Sequence, residues 1–65
     1  MPGDRAPQEV YFEFTVIGQT VKVTAIDGAT GIEVAAIGPA SASQADLRQL
    51  ALAKLKARLA RERAR

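Results

Sequence analysis

At 65 residues the chain has room for one domain, and a domain of this size buries only about 60% of the surface its unfolded form exposes, so a partner or a second copy would add to a marginal stability. It contains neither cysteine nor histidine, which excludes disulfide staples, thiolate or imidazole metal sites and a histidine general base. The net charge of +2 conceals an asymmetry: residues 1–46 carry two bases against six acids, net −4, while residues 47–65 carry seven bases against Glu62, net +6.

In chain order, residues 1–8 hold two prolines and a glycine and read as a disordered leader. They lack the apolar run of a signal peptide, and no later apolar stretch is long enough for a bilayer, so a soluble, cytoplasmic chain without a membrane partner is expected. A single domain over residues 9–59 and a basic, frayed helix end over 60–65 complete the expected organisation. In "VYFEFTVI" the side chains alternate, with Val10, Phe12, Phe14 and Val16 on one side and Tyr11, Glu13, Thr15 and Ile17 on the other, the pattern of a half-buried strand. Gly18-Gln19 then supplies a two-residue turn in which glycine takes the positive φ of a type II′ hairpin. Counting back from Ile17 opposite Thr20 sets Val16 against Val21, Phe14 against Val23 and Phe12 against Ala25, so the apolar faces coincide.

The next connection, "DGATG", places Asp27 to accept from the turn's own amides and Gly31 in the left-handed position that closes a four-residue loop. With Asp27 opposite Ile32, Ala25 faces Val34 and Val23 faces Ala36, whereas a one-residue slip would put Glu33 among the phenylalanines. Gly38-Pro39 is expected to break the ladder, and Ser41 or Ser43 to cap a helix, with Asp46 in capping-box spacing from Ser43. Leu47, Ala51, Leu55 and Leu59 then form an i, i+4 stripe, expected to cover the Phe12/Phe14 face of the sheet. The fold class is α+β: a three-stranded antiparallel meander, order 1-2-3, with one C-terminal helix packed on one face.

That architecture leaves the opposite sheet face open. It carries the apolar residues Tyr11, Ile17, Ile26, Ala35 and Ile37 among threonines, Lys22, Glu13 and Glu33, and is flanked by two edge strands read as unprotected. Scattered apolar residues on a solvated face are the plain reading; a binding surface that includes Tyr11, Ile26 and Ile37 is the other. Catalysis finds little support. Glu13 and Glu33 lie about 12 Å apart by ladder and rise spacings, too far to share a proton or flank one bond. No glycine-rich phosphate loop or dinucleotide fingerprint is present, so an enzyme and a bound cofactor are not expected.

The order of three strands and a helix resembles the later part of double-stranded RNA-binding domains in topology, but "SASQAD" stands where their last helix begins with paired lysines. A closer resemblance covers about 40 residues, "VKVTAIDGATGIEVAAIGPASASQADLRQLALAKLKARL". It is similar to a family of short uncharacterised bacterial proteins, a domain of unknown function, in which an Ala-Ile-Asp…Thr-Gly-x-Glu-Val hairpin leads through Gly-Pro into a helix with Ala…Lys-Leu. The resemblance implies the fold and no activity. Among its matching positions only Glu33 and Lys54 lack a structural role, which makes them candidates for an interaction surface. The arginines Arg58, Arg61, Arg63 and Arg65 are candidate anion contacts, although cations near a helix C-terminus are also what the macrodipole favours. The expected function is a small non-enzymatic interaction module, acting through the open face or an edge strand on an unknown protein or as a weak homodimer. The alternative is weak, non-specific nucleic-acid binding through the basic helix end.

Overall fold

The computed structural model describes residues 9–64, so the expected leader at 1–8 and the candidate Arg65 lie outside the described residues. Three strands, β1 (Val10–Ile17), β2 (Thr20–Asp27) and β3 (Glu33–Pro39), form an antiparallel sheet in the order β1-β2-β3, followed by one helix, α1 (Gln44–Arg63). The ladder has the register that the alternating pattern requires: Phe14 opposite Val23, Phe12 opposite Ala25, Val23 opposite Ala36 and Ala25 opposite Val34. Both turns depend on glycine, with φ of 61° at Gly18 and 78° at Gly31, a region that side chains disfavour. Asp27 fastens the second loop, its Oδ2 accepting from the Thr30 amide at 3.0 Å and the Thr30 hydroxyl at 2.8 Å.

Helix α1 begins where Ser43 accepts from the Asp46 amide at 3.2 Å, which settles the cap on Ser43 rather than Ser41. It packs on β3 and β2. The core is Val21, Val23, Ala25, Ala36, Leu47, Ala51 and Leu55. Three of these seven are alanines, and that decides where the helix lies: Ala51 can approach the sheet closely only over Ala25 and Ala36, on β2 and β3, while the bulk of Phe12 and Phe14 on β1 would hold it off. The stripe thus covers the face of the sheet that carries Phe12 and Phe14, as expected, but it lies over β2 and β3 and reaches only as far as Phe12. Phe12 is half-buried with the Arg48 guanidinium 5.9 Å from its ring centre, but Phe14 is 37% and Val16 65% exposed.

One further expectation changes. Gly38-Pro39 does not break the ladder, because Gly38 still pairs with Val21 and Pro39 with Thr20. Asp27 donates its amide to Ile32 at 2.9 Å, so alternate residues from Ile32, just before β3, to Gly38 bond to β2 and Pro39 belongs to the set facing outward, where a missing N–H costs no ladder bond. The glycine before it makes room for the helix start, since a Cβ on Gly38 would come within 2.7 Å of Leu47 Cδ2. The helix runs to Arg63, with an Arg58–Glu62 pair at 2.9 Å and an Ala64 amide that donates to Ala60 at 3.1 Å. Glu62 and Arg63 meet Asp27, Thr30, Ile32 and Leu59 around a crevice of about 260 Å³, so the last turn stays beside the second loop.

Candidate functional site

The outer face of the sheet carries most of the residues singled out from the sequence. Tyr11, Ile26 and Glu33 fall in one row across the three strands, and Ile37 falls in the row of Lys22 and Thr15. Four residues separate the two rows along β2, roughly 13 Å at the rise of a strand. Between them Thr24 is 9% exposed, shielded at the centre of the middle strand, so the apolar side chains form two separate ends rather than one patch. Tyr11 is pinned: its hydroxyl donates to Glu9 Oε1 at 2.6 Å, and the Glu9 carboxylate, as acceptor and as nearby negative charge, raises the phenol above its ordinary value of 10.0.

Lys54 is not part of that face. It projects from α1 on the opposite side of the sheet and donates its Nζ to the Ala35 carbonyl at 2.6 Å. Ala35 is one of the β3 residues whose backbone groups point outward, so the lysine occupies the free edge of β3, and Pro39 withholds a donor from the same edge. The reading of two unprotected edges is therefore corrected: β3 is blunted.

Among the described residues the β1 edge has no such device. Ile17 and Thr20 flank a two-residue turn and exchange the narrow hydrogen-bonded pair, so Ile17, Thr15, Glu13 and Tyr11 bond to β2. Val10, Phe12, Phe14 and Val16 consequently turn their N–H and C=O groups to the free edge. The Gly28 amide donating to Glu9 at 2.8 Å continues the same alternation. These four are also the residues whose side chains point to the helix side, where Val10 and Phe12 pack against the core while Phe14 and Val16 stay exposed. The edge thus combines unpaired backbone with apolar side chains on both faces: Phe14 and Val16 on one, Tyr11 at 54% and Ile17 at 63% exposure on the other. Sequence reasoning missed Phe14 and Val16 as surface residues by assigning them to the core. The signal that could have found them is the alanine content of β2 and β3.

Of the arginines of the helix end, Arg58 and Arg61 line one open crevice together with Glu62, and Arg63 lies apart from it. Arg58 is tied to Glu62, and Arg61 and Arg63 are two residues apart, about 200° around the helix axis, with Arg63 turned toward the second loop. Among the described residues no group of three aspartate or glutamate side chains is placed to hold a metal ion, and no helix is long and apolar enough to cross a membrane.

One family model matches the chain, over residues 7–62; its description is Domain of unknown function (DUF6898). No curated protein and no solved structure matches it.

Proposed function

The chain belongs to the DUF6898 family, and from that premise we propose that it is a non-enzymatic interaction module whose docking element is the edge of β1. The observation that carries this reading is the difference between the two edges of one small sheet. Lysine and proline occupy β3, while four of the eight residues of β1, Val10, Phe12, Phe14 and Val16, turn their backbone groups to the free edge beside exposed Phe14, Val16, Tyr11 and Ile17. An extended segment laid along β1 would gain backbone hydrogen bonds for affinity and alternate side-chain contacts for specificity. The basic helix end is the less favoured surface, since the crevice that Arg58 and Arg61 line also holds Glu62, paired with Arg58.

The test is selection of a displayed random-peptide library on the wild-type chain and on Val16→Pro, which removes one outward N–H and no bond to β2. Extended, β-branched-rich peptides retained by the wild type and lost by Val16→Pro are expected. Peptides that survive Val16→Pro but disappear with Ile37→Lys would move the site to the open sheet face, and no enrichment at all would remove the proposal.

A further inference from the structure

The β1 edge selects its own occupant. We propose that a second copy of this chain pairs its β1 antiparallel with β1 of the first, about a two-fold axis that passes through Phe14; this rests on the reading of β1 as the docking element. A two-fold axis normal to the sheet keeps both helices on the same side, so facing residues must share a side of the strand. The outward backbone groups belong to Val10, Phe12, Phe14 and Val16, which must therefore form the hydrogen-bonded pairs between copies.

Few registers meet those conditions, and they differ in what they bring together. An axis at Glu13 sets that carboxylate against its own copy, a destabilising like-charge pair. An axis at Phe12 leaves Val16 and Ile17 uncovered, and one at Thr15 leaves Tyr11 and Phe12 uncovered. With the axis at Phe14, Phe14 faces Phe14 of the second copy, Phe12 faces Val16, Tyr11 faces Ile17 and Glu13 faces Thr15. Every large apolar side chain exposed on β1 gains an apolar neighbour. Charge agrees as well. Thr15 lies beside Lys22, so each Glu13 has Lys22 of the second copy in its own row, roughly 10 Å away at strand spacing across one short threonine. The product is a continuous sheet in the order β3-β2-β1-β1-β2-β3. Its two outer edges are the β3 edges that Lys54 and Pro39 already block, so pairing ends at two copies.

The experiment is sedimentation of the full chain across a concentration series, for wild type, Phe14→Asp, Phe14→Lys and a one-to-one mixture of the two variants. Position 14 is outside the helix-covered core, so both variants should fold, as thermal melts would verify; should either fail, Val16→Pro reads the same edge. The wild type is expected to dimerise reversibly. Each variant alone should associate about tenfold more weakly or worse, because identical charges meet on the axis, and the mixture should recover a heterodimer. Only an axis at residue 14 brings the aspartate and the lysine face to face. A wild type that stays monomeric while still taking up β1-directed peptides would overturn the second copy and leave the interaction reading intact. Self-association indifferent to both Phe14 variants and to Val16→Pro but lost with Ile37→Lys would overturn both. A mixture with no recovery would overturn the register.

Discussion

Glu9 and Tyr11 form a contact whose effect can be read without ambiguity, because Tyr11 is the chain's single tyrosine and there is no tryptophan. The Glu9 carboxylate raises the phenol, so the neutral form is favoured in the fold. That preference is fully present below the ordinary value and is lost as pH rises through the folded one. Ultraviolet titration of the phenolate band should give a midpoint above 10.0 in the wild type and a lower one in Glu9→Gln. An unchanged midpoint would mean that the contact does not persist in solution. Asp27 is the second informative residue. Its role in the loop was legible from the Asp-Gly turn, but its burial, with Oδ1 lacking a hydrogen-bond partner among the described residues, was not, since the helix end that lines the crevice beside it is remote in the sequence. Asp27→Ala should lose the two bonds from Thr30, about 1–3 kcal/mol in total, whereas Asp27→Asn keeps the acceptor and should cost less than half as much in a denaturant titration.

Strands and helix are each decided by patterns of different reach. The register of the meander could be read in full because period-2 alternation and two glycine turns constrain it locally, and a slip would invert every side chain. The lateral position of the helix could not, because the stripe of Leu47, Ala51 and Leu55 fits any pair of strands. Only the small side chains at Ala25 and Ala36 choose β2 and β3. The reach of Lys54 to Ala35, nineteen positions away, followed from that placement and was equally hidden. The alternation of backbone groups along β1 gives a sharp element-level expectation. Thr15→Pro removes an amide that bonds to β2 and should cost several times more stability than Val16→Pro, whose lost N–H faces outward. Thermal melts of the two neighbours would reverse in order if the alternation were shifted by one.

At the scale of the whole molecule, the basic end of the charge asymmetry visible in the sequence is partly offset by its own acid, Glu62, paired with Arg58. Four arginine contacts to duplex DNA would give a log-log salt slope of about −3.6. With Arg58 engaged by Glu62, and with Arg61 and Arg63 on opposite sides of α1, any residual binding should show a slope no steeper than about −2 and vanish at physiological salt. Function was the least legible property, because the sequence shows which residues leave the core only after the helix is placed. The exposed strip of Phe14 and Val16 is a consequence of packing rather than of pattern.

The central claim is that β1 is an open strand edge awaiting another strand, and amide hydrogen exchange followed residue by residue in dilute and concentrated samples tests it most directly. At low concentration the amides of Tyr11, Glu13, Thr15 and Ile17, bonded to β2, should be protected, while those of Phe12, Phe14 and Val16 exchange quickly. Raising the concentration should add protection at Phe12, Phe14 and Val16 and leave the amides already bonded to β2 unchanged. Exchange at those three residues that stays fast at every concentration, or protection that appears instead around Ile26 and Ile37, would contradict it.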